Sequence, residues 1–245
     1  MSGNAPARAA CAKTAAAILA GGKSRRMGRP KAFLPLGDQP LIARVIAALK
    51  RAFSELFIVA SDGAPFGGLG LPVVPDKRPG AGAFGGVFTA IEAASTPQVL
   101  VVACDMPYLN ADLLAHLALR AEGHAAAVPR AADGLHPLHA VYAKRAGGAF
   151  AAAMDRGALK LMDVLSALDC IEVGESEMRR LDPGLHSLFN VNRPLRVHVD
   201  HHQFPLPGLS AVCAVDQLFA VGRKTGVQVM GQVIGQLDGL ADLCG

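Results

Sequence analysis

The chain has 245 residues, 51% of them hydrophobic and 18% charged, which is enough apolar material for one sizeable core and excludes whole-chain disorder. Lys plus Arg number 24 against 20 Asp plus Glu, a formal charge of +4 that is too mild to argue for nucleic acid or a membrane surface. Tryptophan is absent and aromatics make up 5%, which weighs against a stacking platform for single strands; no segment reaches the ~18 uninterrupted apolar residues of a membrane span.

Residues 1–14 read as a loose leader. The apolar run at 15–20 follows Arg8 and Lys13 but is too short for a secretory core, and it leads into Gly22-Lys23-Ser24-Arg25-Arg26 rather than a cleavage site. A cytoplasmic protein is the expectation. The five cysteines agree: Cys11, Cys104, Cys170, Cys213 and Cys244 are odd in number, form no CxxC and have mostly apolar neighbours, as reduced thiols do.

Buried strands are predicted at 15–19, 56–60 and 71–74, and the strongest at 98–103, where Gln-Val-Leu-Val-Val-Ala is a continuous apolar run suited to a parallel strand covered on both faces. Between them, residues 40–53 carry Leu41, Val45, Ala48 and Leu49 at helical spacing behind a first-turn proline. Further helices are predicted at 84–94 and at 110–121, the latter capped by Asn110. This alternation predicts an α/β fold: a doubly wound, mostly parallel sheet with helices on both faces and ligands at the carboxyl ends of its strands. The domain is expected over 15–196, with 197–245 an extension in which charges become sparse and glycines frequent from Gln203 on.

The densest chemistry follows the first strand, in Leu19-Ala20-Gly21-Gly22-Lys23-Ser24-Arg25-Arg26-Met27-Gly28-Arg29-Pro30-Lys31. Glycines at a strand exit let the backbone approach a ligand closely and turn successive N–H groups into an anion nest. Lys23, Arg25, Arg26 and Lys31 surround that nest with positive charge, which suits a polyphosphate. A P-loop does not fit. It needs a glycine where Ala17 stands inside the strand, and a helix straight after Ser24, where the chain has Met27-Gly28-Arg29-Pro30. A Rossmann GxGxxG is absent as well.

The stretch resembles the nucleotidyltransferase signature L-A-G-G-x-S-x-R-M-G-x-x-K. Asp105 in Ala103-Cys104-Asp105-Met106-Pro107-Tyr108 matches a second mark of that superfamily, and Gly82-Ala83-Phe84-Gly85-Gly86-Val87 stands where it has a G-P-L-A-G-I loop. With His136-Pro137-Leu138 and Phe189-Asn190-Val191-Asn192, the set is similar to the MobA-type molybdenum-cofactor guanylyltransferases over about three-quarters of the chain. The resemblance implies a Rossmann-like nucleotidyltransferase fold and GMP transfer from GTP to a molybdopterin-type cofactor, with pyrophosphate released. It implies that Leu19, Ala20, Gly21, Gly22 and Arg25 hold the nucleotide, that Lys31 contacts the triphosphate and that Asp76 lies near it. Asp105 would bind Mg²⁺, Lys31 and Asp105 would carry catalysis, and Asn190 and Asn192 would face the pterin. Molybdoenzymes or other cofactor-biosynthesis proteins are the implied partners, with neither nucleic acid nor membrane among them.

The chemistry agrees with these roles. Nucleotidyl transfer needs an attacking phosphate oxygen in line with the α-phosphorus and neutralised charge on the departing pyrophosphate, so no covalent protein nucleophile is required. Mg²⁺ is commonly held by one or two carboxylates plus substrate phosphates, as a strand-end aspartate facing a basic loop allows. Plainer readings stand beside these. Asp105 could cap a helix, Asp76 could be a turn residue pairing Lys77 or Arg78, and Cys104 reads as a structural thiol. His198, Asp200, His201 and His202 have metal-like content, but neighbours on an extended segment face opposite ways. A cytidylyltransferase and a non-catalytic nucleotide-binding module are the alternative functions.

Overall fold

The computed structural model describes residues 5–21 and 30–191. Helix α1 (Ala5–Ala12) leads into strand β1 (Thr14–Leu19). After a short hairpin of β2 (Pro35–Leu36) and β3 (Gln39–Pro40) come α2 (Leu41–Leu49), β4 (Leu56–Ala60), β5 (Val73–Pro75), α3 (Gly82–Ala93), β6 (Gln98–Ala103) and α4 (Ala111–Arg120). The remaining described elements are β7 (Ala126–Ala131), β8 (Gly134–Leu135), β9 (His139–Ala143), α5 (Gly147–Asp155), α6 (Leu161–Ala167), β10 (Cys170–Gly174) and α7 (Glu175–Met178).

The main sheet runs β10-β7-β9-β6-β1-β4-β5, with β8 on β7. β6, β1, β4 and β5 are mutually parallel, as is the pair β10–β7. β9 runs antiparallel between β6 and β7. The expected mostly parallel sheet is therefore present, with one reversed strand joining two parallel blocks.

Alternation along the strands builds a core on each face. Ala16 and Ile18 of β1 join Ile42, Val45 and Leu49 of α2 and Leu113, Leu114 and Leu117 of α4. Ala15, Ala17 and Leu19 join Val87 and Ile91 of α3, Phe150 of α5 and Val164 of α6 on the other. A two-faced burial of this kind explains why β1, β4 and β6 read as unbroken apolar runs. Each buried Leu or Ile contributes about 1.5–3 kcal/mol. Truncating the fully buried Ile18 to Ala would cost about 2–5 kcal/mol, because the α2 and α4 face of the sheet would lose packing around the void.

Where a loose leader is expected, residues 5–12 fold as α1, with Ala10 and Cys11 buried. Five alanines among its eight residues, with Pro6 in the first turn, favour helix without leaving an amphipathic signature. Thr14 Oγ1 donates to Ala10 O at 2.8 Å and ties the helix to β1. Asn110 caps α4 as expected: its Oδ1 accepts the N–H groups of Asp112 at 2.9 Å and Leu113 at 3.1 Å, worth about 1 kcal/mol.

Candidate active site

Register brings the carboxyl ends of β1, β4 and β6 into one row, because Leu19 lies opposite both Val59 and Ala103. The ladder continues one step past the strands. Ala20 N–H donates to Val59 O at 2.9 Å, and Cys104 N–H donates to Leu19 O at 3.1 Å. Leu19, Ala20 and Gly21 are thus held as extended backbone at the sheet's edge, with Gly21 exposed. The loop and helix before them are packed close. A Cβ on Gly85 would lie 2.7 Å from Arg78 O, and one on Gly86 would lie 3.0 Å from Leu19 Cδ1, so the first turn of α3 sits against the β1 exit only because both lack side chains.

Lys31 opens a single turn of 3₁₀ helix, Lys31–Phe33, anchored by buried Ala32 and by Phe33 stacked on Phe66 at 5.4 Å between ring centroids. From there its Nζ reaches Asp105 Oδ2 at 2.7 Å. The pair is nearly dry, with side chains 14% and 8% exposed. Desolvation offsets most of the Coulombic gain in such a pair, so stability alone does not account for it. Its placement at the carboxyl ends of β1 and β6, where doubly wound folds bind ligands, does.

Asp105 caps no helix, since α4 begins six residues later and takes its cap from Asn110. Instead its Oδ1 accepts from Asn190 Nδ2 at 2.7 Å, and its own carbonyl accepts Val191 N–H at 3.1 Å. The structure therefore gathers Lys31, Asp105 and Asn190, separated by 74 and 85 residues in the chain, around one carboxylate. Burial pushes the neighbouring Cys104 thiol up to about 12, and the Asp105 charge pushes the same way, so Cys104 is a packing thiol and no nucleophile.

Asp76 serves its own loop. Its Oδ1 accepts from Arg78 N at 2.9 Å and from Thr89 Oγ1 at 3.1 Å, binding the β5 exit to α3. β5 lies three strands from β6, about 14 Å across the sheet at ~4.8 Å per strand, so Asp76 and Asp105 flank the row of strand ends instead of sharing a point. Gly22, Arg25 and Asn192 lie outside the described residues, as do Lys23, Arg26, the 198–202 cluster and the 197–245 extension.

Sequence reasoning missed a buried polar network behind the site. Asn110 N–H donates to Ser187 Oγ at 3.0 Å, which leaves the Ser187 proton for His139 Nε2 at 3.3 Å; Ser187 N–H donates to Asp182 Oδ2 at 2.8 Å. Burial first, and the charge of His136 second, push His139 down to about 3, so the ring is neutral. Its Nδ1 has no hydrogen-bond partner among the described residues. The available signal was the density of polar residues in an otherwise apolar neighbourhood.

A Mg²⁺ ion is compatible with this chemistry but not with a preformed cage. No group of three or more His, Cys, Asp or Glu suited to a metal occurs among the described residues. Asp105 does offer a nearly dry carboxylate that already accommodates a cationic group at Oδ2, the donor type Mg²⁺ takes alongside substrate phosphates. No helix among the described residues is long and apolar enough to cross a membrane.

Comparison with known proteins places these features. A "probable molybdenum cofactor guanylyltransferase" of Pelotomaculum thermopropionicum is 40% identical over 179 residues, 72% of this chain and 86% of the relative. Another so named, from Methanothermobacter thermautotrophicus, is 32% identical over 73% of this chain and 94% of its own. The crystal structure of molybdopterin-guanine dinucleotide biosynthesis protein A from Archaeoglobus fulgidus superposes with a TM-score of 0.63 at 28% identity, covering 73% of this chain and 92% of its own. Residues 16–171, which include the β1 exit, Lys31 and Asp105, match the model of the MobA-like NTP transferase domain. The chain belongs to the MobA-like NTP transferase family.

Proposed function

We propose that the protein transfers GMP from GTP to the terminal phosphate of a molybdopterin-type cofactor. A phosphate oxygen of the pterin attacks the α-phosphorus, the bond from α-phosphorus to the bridging oxygen breaks, and pyrophosphate leaves with the electron pair. The observation that carries this reading is the 2.7 Å Lys31–Asp105 pair at the ends of β1 and β6, one cation and one carboxylate held nearly dry where a triphosphate would lie. The names of the relatives supply the base and the acceptor.

Each residue has a positional task. The backbone of Leu19, Ala20 and Gly21 presents polar groups to the base and ribose at the sheet's edge. Lys31 offsets charge on the triphosphate, and Asp105 would hold Mg²⁺ against the same phosphates. When bound, the ion supplies charge neutralisation on the departing pyrophosphate. Gly22 and Arg25 would complete the nucleotide contacts, and Asn192 the pterin side. Catalysis is positioning plus electrostatics, with no protein atom bonded to phosphorus.

The test is direct. The chain is incubated with molybdopterin cofactor, Mg²⁺ and GTP labelled at the α-phosphate, and the label is followed into the dinucleotide while pyrophosphate is counted. Equal stoichiometry of the two products with GTP is the expected result. Transfer from CTP in preference to GTP would make the protein a cytidylyltransferase. Tight nucleotide binding without any pyrophosphate would make it a binding module.

A further inference from the structure

We infer that Asn190 is a positioning residue for the Asp105 carboxylate, acting through that carboxylate and not as a pterin contact; this rests on the nucleotidyl-transfer reading above. The resemblance pairs Asn190 with Asn192 on the substrate side, yet the structure turns its amide onto Asp105 Oδ1 at 2.7 Å. The same segment grips Asp105 a second time through Val191 N–H to Asp105 O at 3.1 Å. Two bonds to one residue, one to main chain and one to side chain, fix both the place and the rotation of the carboxylate.

The segment that brings Asn190 there is itself held from several sides. Ser187 is fully buried and bonded to Asn110, His139 and Asp182. Leu188 is buried in the core, and the Phe189 ring packs on Tyr108 at 5.8 Å between centroids. Leu185, just before, sits at φ 51°, a left-handed conformation that costs a branched side chain energy and persists only when its surroundings dictate it. Ser187 and Phe189 grip Asn110 and Tyr108, which belong to the loop that Asp105 opens. Strand end and returning segment are thus built as one unit.

The need for such a holder follows from Lys31. In the free protein Lys31 fixes Oδ2, but an ammonium that turns to a triphosphate no longer does so. The terminal torsion of an aspartate is broad, and a carboxylate released on one side would swing. Asn190 remains on Oδ1 through that exchange and keeps Oδ2 aimed at the cation that replaces the ammonium. Partners of metal-binding side chains typically matter 10–100-fold for metal affinity.

Asn190→Leu keeps the branched shape, with somewhat more bulk, and removes the donor; the smaller Asn190→Ser is made beside it so that one folded variant suffices. Mn²⁺ binding is measured by electron paramagnetic resonance on the wild-type chain and each variant, with a non-hydrolysable GTP analogue present. Mn²⁺ affinity should fall about tenfold or more. In turnover, the Mg²⁺ needed for half-maximal rate should rise by a similar factor, kcat should recover at high Mg²⁺, and KM for the pterin should stay within about twofold. Asn190→Gln, which keeps the amide on a longer arm, should recover part of the metal affinity. Unchanged metal dependence with a tenfold rise in pterin KM would overturn the inference and return Asn190 to the substrate. If the wild-type chain transfers no nucleotide at all, the function is wrong, while the Mn²⁺ comparison still decides what Asn190 does.

Discussion

The two blocks of the sheet solve different problems. In the parallel block, β6, β1, β4 and β5 all point their carboxyl ends the same way, and Leu19 to Gly21, Asp76 and Asp105 are the residues that leave those ends. The rest of the sheet, β9, β7 and β10, is joined to it through the reversed β9, whose first residue, His139, stands opposite Val102 near the same edge. β7 and β10 end at that edge too, but Glu175, which follows β10, accepts Ala132 N–H there, and the support this part lends to the site is buried, through His139 bonded to Ser187 in the segment that carries Asn190.

The sharpest way to break this contrast is Asp105→Asn. The amide is nearly isosteric but uncharged, and its NH2 must face either Lys31 Nζ or Asn190 Nδ2, so stability is measured beside turnover to separate folding from chemistry. Turnover should fall at least ~10²-fold, equivalent to ~2.7 kcal/mol of transition-state stabilisation, while GTP still binds. Wild-type turnover at limiting Mg²⁺ would remove Asp105 from the chemistry.

Lys31→Ala should weaken GTP binding by about 1.5–3 kcal/mol, the value of a lost charge-assisted contact, and calorimetric titration reads this as a tenfold to hundredfold rise in Kd. Stability should fall as well, by up to about 3–5 kcal/mol, because the Asp105 carboxylate is left nearly dry and without its cation, so unfolding is measured beside the titration. Parental GTP affinity in a folded variant would disprove the loop's role. Gly85→Ala follows at about 1–3 kcal/mol of lost stability by urea unfolding, because its new methyl meets the Arg78 carbonyl at 2.7 Å. An unchanged midpoint would mean that the close packing beside the β1 exit is not rigid.

The supporting block has its own signature in pH. His139 is neutral in the fold and ionises near 6.5 when unfolded, so below that pH the unfolded chain binds the extra proton. Its share of stability is complete above about 6.5 and is lost as pH falls toward 3, at up to about 1.4 kcal/mol per unit. Relative to His139→Asn, the wild-type chain should therefore lose stability more steeply between pH 6.5 and 5; parallel curves would show that the ring is not held neutral. The smallest effect belongs to Gly148→Ala in α5, where a Cβ meets nothing within 4 Å and φ is not left-handed. It should stabilise by about 0.4–1 kcal/mol, opposite in sign to Gly85→Ala.

The same contrast separates what was legible in the sequence from what was not. β4 and β6 lie where their apolar runs predict, and β1 begins one residue earlier, because strands buried on both faces announce themselves by continuous hydrophobicity. β7 was invisible: Ala-Ala-Val-Pro-Arg-Ala mixes small residues with a proline and a charge. β9, His-Ala-Val-Tyr-Ala, opens on a histidine and has alanines where β4 has larger apolar side chains, and α1 is mostly alanine, so neither stands out as an apolar run or a period. In the site, Lys31 and Asp105 could be picked out singly from their motifs, but nothing local says that their side chains meet. Asn190 could be singled out in its motif, but its partner could not, since 85 residues lie between them. Asp76 shows the converse: the residue was found, and its bonds to Arg78 and Thr89 belong to a turn that local sequence could anticipate.

The position of β9 also governs how the chain emerges during synthesis. By residue 120 the ribosome has delivered β1, β4, β5, β6 and helices α1 to α4, while α5 and α6, which complete the second face, are still to come. The outer backbone of β6 is then a bare row of donors and acceptors on a strand that is apolar from Val99 to Ala103, and its proper neighbour, residues 139–143, has yet to appear. Such an edge recruits any strand it meets. The first half of this protein is therefore most exposed to misassembly just before the second half arrives, and β9 closes it by running the other way.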